Sequence, residues 1–148
     1  MRVKFLKLHP KAEIPKKAYP TDFCYDVKAV RAEEIAPNVW KYWLGFALQM
    51  DKEGVLNSRI RHAIDFRPRS SVWEHGMVLS NSPGTGDEHY TGEYSLVFYH
   101  VFPDMPRYEV GDKVGQMCIS STVELDFDVV DALSPTDRSD NGYGSSGR

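Results

Sequence analysis

The sequence predicts an all-β protein built as a sandwich or barrel, and two observations carry that prediction. Short runs rich in β-branched and aromatic residues recur along the chain, and several of them alternate apolar and polar side chains. Segments rich in Gly, Pro, Asn and Asp separate these runs at nearly regular spacing, as turns do in antiparallel folds. At 148 residues, one domain can bury about 70% of the surface of its unfolded chain without a disulfide or metal.

The predicted strands follow one another along the whole chain. In order they are RVKFLKL (2–8), CYDVKAV (24–30), YWLGFALQM (42–50), RIRHAIDF (59–66), GMVLS (76–80), GEYSLVFYHVF (92–102), GQMCIS (115–120) and VELDFDVVDAL (123–133). In the first run, Val3 and Phe5 share one side while Leu6 and Leu8 share the other. That change of phase predicts a strand that is covered on both faces or broken by a bulge.

One helical segment is predicted, within SSVWEHG (70–76). Ser70 or Ser71 would cap its start, because serine is a preferred N-cap residue, and Gly76 would end it. The turns are predicted in HPKAEIP (9–15), APN (36–38), DKEG (51–54), NSPGTGD (81–87), PDMP (103–106) and EVGD (109–112).

Charge and composition exclude several classes of function. The net charge of −3 argues against a nucleic-acid-binding surface, which is normally basic. Neither the two cysteines nor the five histidines have the spacing of a zinc site, and unpaired thiols suit a reducing cytoplasm. The first fifteen residues carry charges where a secretory signal needs an apolar run, and no stretch is long and apolar enough to span a membrane. The sequence therefore predicts a cytoplasmic protein with no membrane or nucleic-acid partner.

The composition changes at about Ser134 and predicts a β domain over 1–134 and an arm over 135–148. The arm contains Arg138, Tyr143, Gly144, Ser145 and Ser146 but almost no apolar side chain. Such an end is typical of a frayed terminus. The alternative is a phosphate-binding arm, because glycine backbones, hydroxyls and arginine all donate hydrogen bonds to anions.

Three further stretches carry groups that could bind or transform a ligand. PRSS (68–71) places an arginine and two hydroxyls at a turn, although the serines could simply cap a helix. In NSPGTGDEHYTGEY (81–94), Asp87 follows a glycine-rich turn and could act as a general base, or could only satisfy local backbone groups. Gln116 in VGDKVGQMCI could present its amide to a ligand, or could only satisfy backbone groups at a bend. Together with the arm, these groups predict a phosphorylated small molecule that contains a ring.

The order of these motifs resembles the trimeric, all-β dUTPases (deoxyuridine triphosphate nucleotidohydrolases). The resemblance runs from about Lys17 to Arg148, and five motifs carry it: FCYDVKAV, PRSS, GTGDEHYTGEY, GDKVGQM and RSDNGYGSSG. It implies a distorted jelly-roll β-sandwich of the β-clip type with a flexible C-terminal arm. It also implies a homotrimer in which three subunits build each active site.

The resemblance further implies hydrolysis of dUTP to dUMP and pyrophosphate. Asp87 would be the general base that activates water for in-line attack on the α-phosphorus. Tyr90 would pack under the deoxyribose and exclude a 2′-hydroxyl, while the turn that contains Asn81 and Gly84 would read the uracil edge.

The remaining site residues would bind the triphosphate and its metal. Asp26 would hold, through water, a Mg²⁺ ion carried mainly by the triphosphate. Tyr143 would stack on uracil as the arm closes. The groups that would contact phosphate are Arg69, Ser70, Ser71, Gln116, Arg138, Gly144, Ser145 and Ser146.

The chain departs from the family pattern at two places near the site. Thr85-Gly86 stands where the family has an aliphatic pair, and Cys24-Tyr25 replaces a small residue followed by glycine. Two alternative functions therefore stay open. One is a dCTP deaminase of the same fold, for which Glu93 would be the catalytic carboxylate, and the other is a non-catalytic nucleotide-binding regulator.

Overall fold

The computed structural model describes residues 1–51 and 59–140. In this part of the chain, ten strands and one short 3-10 helix follow in order. They are β1 (Val3–Lys7), β2 (Tyr25–Lys28), β3 (Arg31–Ala36), β4 (Val39–Trp43), β5 (Phe46–Met50), β6 (Ile60–Arg67), the 3-10 helix (Ser70–His75), β7 (Met77–Leu79), β8 (Gly84–Asp87), β9 (Ser95–His100) and β10 (Lys113–Val123).

The strands form three antiparallel sheets. Two sheets have four strands, in the orders β2-β10-β6-β8 and β3-β4-β9-β7, and β1 pairs with β5 in a third. Side chains from both four-stranded sheets build a single core. The all-β sandwich that the sequence predicts is therefore confirmed for the described residues.

Aromatic rings fill the centre of this core. Tyr42 of β4, Phe98 of β9 and Tyr108 pack edge to face, with centroids 5.6 to 6.0 Å apart. The Tyr42 hydroxyl donates to the Tyr108 carbonyl oxygen at 3.0 Å, and burial raises the pKa of Tyr42 far above its usual value. The Tyr108 hydroxyl is also buried but has no hydrogen-bond partner among the described residues.

This difference between the two hydroxyls predicts that two matched substitutions change the free energy of unfolding by different amounts. Tyr42→Phe is expected to lower the free energy of unfolding by about 1–3 kcal/mol, because it leaves the buried Tyr108 carbonyl without its donor. Tyr108→Phe is expected to leave that free energy nearly unchanged, because it removes a buried polar group that is unsatisfied. Urea unfolding of both variants checks the pair, and equal losses would contradict the assignment.

Two strands were not predicted from the sequence. β8 lies in a segment predicted as a turn, because two of its four residues are glycines. It forms because it pairs with β6, from Ala63 opposite Asp87 to Phe66 opposite Gly84. β3 is charged and exposed, and pairing with β4 forms it at the sheet edge.

Two predictions for the chain ends were wrong. The register of β1 with β5 is continuous, without a bulge, and Leu6 and Leu8 are exposed rather than covered. VELDFDVVDAL forms no strand beyond Val123, where β10 ends. Leu125, Phe127 and their apolar neighbours up to Leu133 are exposed. Within residues 1–51 and 59–140, no element covers the apolar side chains that these two segments expose.

The helical segment is a single 3-10 helix whose end was predicted correctly. Gly76 follows it in the left-handed conformation, with φ of 58°, where glycine is favoured. The predicted serine cap was wrong, because the N-cap is Arg69 and no side chain caps the helix. The Ser70 and Ser71 hydroxyls are therefore not used as caps. No helix in the described ranges has the length and apolar character needed to cross a membrane.

Candidate active site

One cavity, of about 190 Å³, lies between β8 and the start of β9. Asn81, Gly84, Asp87 and Tyr90 all line it, together with Phe66, Thr85, Gly86, Glu93, Tyr94, Ser95 and Leu96. The predicted uracil- and sugar-binding residues therefore come together with the predicted general base, Asp87, and we name this space the base-side cavity.

Two tyrosines form a rigid wall of the base-side cavity. Tyr90 donates its hydroxyl to the Glu93 carbonyl at 3.1 Å, and Tyr94 donates its hydroxyl to the Tyr90 carbonyl at 3.3 Å. The two rings meet edge to face at 5.2 Å. Burial, with smaller contributions from Tyr90 and Asp87, raises the pKa of Tyr94 to about 12, so its hydroxyl stays a neutral donor. Tyr90 thus presents a fixed ring face to any ligand.

Glycines leave the space that these rings occupy. A Cβ on Gly86 would lie 2.6 Å from the buried Tyr94 ring, and one on Gly92 would lie 2.5 Å from the Tyr90 hydroxyl. Thr85 points to the opposite face of the sheet, where its hydroxyl donates to Asp65 at 3.2 Å. The departure Thr85-Gly86 therefore adds no bulky side chain to the cavity wall.

Gly86→Ala is expected to destabilise the protein by about 1–3 kcal/mol, because the new methyl group would overlap a packed ring. It should also raise KM for the nucleotide, since Tyr94 supports Tyr90. Thr85→Ala is the matched control one residue away on the other face, and it should change neither quantity by much. Thermal unfolding and steady-state kinetics on both variants check this, and a fully stable Gly86→Ala protein would contradict it.

Asp87 ends β8 with its side chain exposed at the mouth of the base-side cavity. Its backbone carbonyl accepts from the Tyr90 amide at 2.9 Å, which fixes the tyrosine relative to it. Within residues 1–51 and 59–140, no group donates a hydrogen bond to its carboxylate. The carboxylate is therefore available to a water molecule, as a general base must be.

A second cavity, of about 390 Å³, collects the predicted phosphate-binding groups, and we name it the phosphate-side cavity. Its lining includes Asp26, Arg69, Ser70 and Gln116, with Ala18, Asp22, Phe23 and Cys24. Strand pairing explains why these residues come together, because Gln116 of β10 lies opposite Asp26 of β2 on one side and opposite Arg67 of β6 on the other. The Gln116 amide donates to the Pro68 carbonyl at 3.1 Å and so fixes the segment that leads into the helix.

Two cations compensate the Asp26 carboxylate, which is only 15% exposed. Lys113 Nζ lies 2.7 Å from one carboxylate oxygen, and Arg69 Nε lies 3.5 Å from the other. Sequence reasoning missed Lys113, although it lies three residues before Gln116 in the same motif. This cavity and its edge thus combine the cations of Arg69 and Lys113 with the carboxylates of Asp22 and Asp26, which suits an anionic ligand together with a cation.

The two cavities lie at opposite edges of one sheet. Asp26 is on edge strand β2 and Asp87 on edge strand β8, with β10 and β6 between them. Strand spacing separates the two backbones by about 14 Å across the sheet, and the register adds about 13 Å along it. The predicted general base of one chain therefore lies far from its predicted phosphate-binding groups, and we call the base-side and phosphate-side cavities the two half-sites.

Several predicted residues fall outside both cavities. Ser71 follows Ser70 within the helix, and Arg138 is on the exposed segment after β10. Tyr143, Gly144, Ser145 and Ser146 lie outside the described residues. Across residues 1–51 and 59–140, no group of three or more His, Cys, Asp or Glu side chains is placed to hold a metal.

The sequence model of the dUTPase family matches residues 10–147. This chain belongs to the dUTPase family. Among relatives of this dUTPase, the deoxyuridine 5′-triphosphate nucleotidohydrolase of Picosynechococcus sp. is 31% identical over 99% of both chains. That of Clostridium novyi is 32% identical over the same shares. Membership makes the chain a hydrolase of nucleotide metabolism, as the sequence predicted.

Solved structures agree on the fold of this dUTPase. A Staphylococcus bacteriophage 80alpha dUTPase mutant with dUpNHpp superposes with a TM-score of 0.82, covering 99% of both chains at 17% identity. Another structure of that phage dUTPase gives a TM-score of 0.81 at 18% identity. At this level of identity the likeness concerns the fold alone, and it confirms the predicted β-sandwich.

Proposed function

We propose that this protein hydrolyses dUTP to dUMP and pyrophosphate, with Asp87 as the general base. The observation that carries the proposal is the exposed Asp87 carboxylate beside the fixed Tyr90 ring, in a chain of the dUTPase family. Asp87 takes a proton from water, whose oxygen attacks the α-phosphorus in line. The bond from that phosphorus to the bridging oxygen breaks, and pyrophosphate leaves.

The base-side cavity supplies selectivity. Tyr90 packs under the deoxyribose and leaves no room for a 2′-hydroxyl. Its ring cannot move aside easily, because its hydroxyl is bonded to the Glu93 carbonyl, its own carbonyl is bonded to the Tyr94 hydroxyl, and the two rings are in contact. Asn81 and the backbone near Gly84 read the uracil edge. A Cβ on Gly84 would come within 3.1 Å of the Asn81 amide nitrogen, so glycine permits this tight turn.

The phosphate-side cavity binds the triphosphate through Arg69, Ser70 and Gln116, and Ser71, the next residue of the 3-10 helix, adds its hydroxyl from outside the cavity lining. Asp26 fits the role of a Mg²⁺ ligand through water, since its carboxylate shares a cavity with these phosphate-binding groups and magnesium prefers oxygen donors. A single carboxylate cannot hold the ion alone, so phosphate oxygens would supply the other ligands. When bound, Mg²⁺ neutralises charge on the triphosphate.

We infer that the protein acts as a homotrimer whose subunits share active sites. Asp87 and Asp26 of one chain are too far apart to act on the same triphosphate, whereas those of different copies could meet. The exposed apolar segment 124–133 supports this inference, because it needs a surface outside its own domain. The arm 135–148 would continue from it and close over the nucleotide, bringing Arg138, Tyr143, Gly144, Ser145 and Ser146.

The deaminase alternative needs Glu93 as a free catalytic group, and its contacts argue against that role. Its carboxylate accepts from the Gly45 amide at 3.1 Å and lies 4.0 Å from the Arg31 guanidinium. These contacts join β3 and the loop after β4 to the segment before β9. The two free thiols, Cys24 and Cys118, support the predicted cytoplasmic location.

The proposal is tested by pyrophosphate release with Mg²⁺, with dUTP, dCTP, dTTP and UTP offered separately. We expect rapid release from dUTP and little from the other three. Ammonia from dCTP without pyrophosphate would assign the deaminase instead. A folded protein that acts on none of the four but binds dUTP would be a regulator.

A further inference from the structure

The two cysteines of this chain face each other across neighbouring strands. Met117 of β10 lies opposite Tyr25 of β2, and Gln116 lies opposite Asp26. The same register, continued by one residue beyond the start of β2, sets Cys118 opposite Cys24. Burial, together with the neighbouring Cys118 thiol, raises the pKa of Cys24. Directly opposite residues in antiparallel strands have Cα atoms about 4.5–5.5 Å apart, which is within the range that a disulfide spans.

The two cysteines lie at the boundary between the phosphate-side cavity and the protein interior. Cys24 is half-buried and lines that cavity with Asp26 and Arg69. Cys118 is only 3% exposed and lies behind it. An oxidant that enters the cavity therefore reaches Cys24 first, and Cys118 is already in place to react with the oxidised sulfur.

We propose that Cys24 and Cys118 are an oxidisable pair that a hydroperoxide converts into an intrachain disulfide, which weakens triphosphate binding. The thiolate of Cys24 is the attacking species, and because burial raises the pKa of Cys24 it forms mainly at alkaline pH. It attacks the O–O bond of hydrogen peroxide, which gives a sulfenic acid and, with the released proton, water. The Cys118 sulfur then attacks the Cys24 sulfur, and the hydroxyl leaves as a second water. The two thiols lose two hydrogens and two electrons in total, and the peroxide is reduced to water.

The cross-link acts on the site through β2. An S–S bond is much shorter than a contact between two unbonded sulfur atoms, so its formation changes the side-chain geometry at Cys24 and holds the segment just before β2 against β10. Asp26 lies two residues further along β2 and contacts both Lys113 and Arg69. Any shift of that carboxylate changes where the two cations can meet a phosphate. The expected loss of affinity rests on the proposed function, whereas formation of the disulfide does not.

The test treats the full chain with hydrogen peroxide and maps its peptides without reduction. We expect a cross-linked peptide that contains Cys24 and Cys118, loss of both titratable thiols in denaturant, and a higher thermal midpoint. Calorimetry with dUpNHpp should then give a severalfold weaker affinity, and a dithiol reductant should restore it. Cys118→Ala, which keeps Cys24, should give neither the cross-linked peptide nor the higher midpoint.

Three results would overturn the proposal. Two free thiols after oxidation, or a cross-link between chains, would show that the pair does not form within one molecule. A disulfide that leaves dUpNHpp affinity unchanged would remove its link to the site. If the reduced protein does not bind dUpNHpp, the proposed function fails instead, while the peptide map still tests the cysteine pair.

Discussion

Asp87→Asn is expected to lower kcat for dUTP by about 10²- to 10⁴-fold, because it removes the base that takes the proton from water. The amide keeps nearly the same size at the end of β8, where the Asp87 side chain is exposed. Affinity for dUpNHpp should therefore change little. Pyrophosphate release and calorimetry on the same preparation measure the two quantities separately.

Asp104→Asn is the matched control, since this aspartate is exposed in a turn away from both cavities. It should match the unchanged protein in both assays. An Asp87→Asn protein that keeps its turnover would assign the base to another group. One that no longer binds the analogue would mean that Asp87 holds the nucleotide in place.

The second large effect is recovery of activity when two inactive variants are mixed. Asp87→Asn damages the base-side half-site, and Arg69→Ala damages the phosphate-side half-site. In a shared-site trimer assembled at random from equal amounts, about one quarter of the sites combine two intact halves. Denaturing the two variants together and refolding them should therefore restore about one quarter of the original activity.

The control for this experiment is each variant refolded alone, which should stay inactive. A double variant that carries both substitutions, mixed with either single variant, should also stay inactive, because no site then acquires both intact halves. A mixture of the two single variants that stays inactive, although size-exclusion chromatography shows the trimer, would place both halves of each site in one chain.

Most strands could be predicted because alternating burial of their side chains requires alternating apolar and polar residues in the sequence. In β9, Leu96, Phe98 and His100 are buried and alternate with more exposed neighbours. β8 lacks this alternation of apolar and polar residues, since its buried residues, Gly84 and Gly86, are glycines. They are small because Asn81 and the Tyr94 ring occupy the adjacent space, which only the folded chain reveals.

The opposite error occurred at 123–133, where a strand pattern is present but no strand extends beyond Val123. Alternation of apolar and polar residues predicts that one face of a segment meets an apolar surface. It does not indicate which molecule provides that surface. The residues of the candidate site were recognised through motifs, while their contacts were not. Lys113, which contacts Asp26 at 2.7 Å, was missed because a lysine at the start of a strand has no local signature of a charge pair.

The sequence by itself determined the fold class, the order of motifs and the chemical groups, because periodicity, turn residues and motif spacing are local properties. Tertiary structure alone decided which of those groups meet. It put Asp26, Arg69 and Gln116 in one cavity and Asp87 with Tyr90 in another, at opposite edges of one sheet. It also set Cys118 opposite Cys24, one residue beyond the paired positions Met117 and Tyr25. The physical reason is that strand pairing joins residues far apart in the chain, and the register of each pair depends on the whole core.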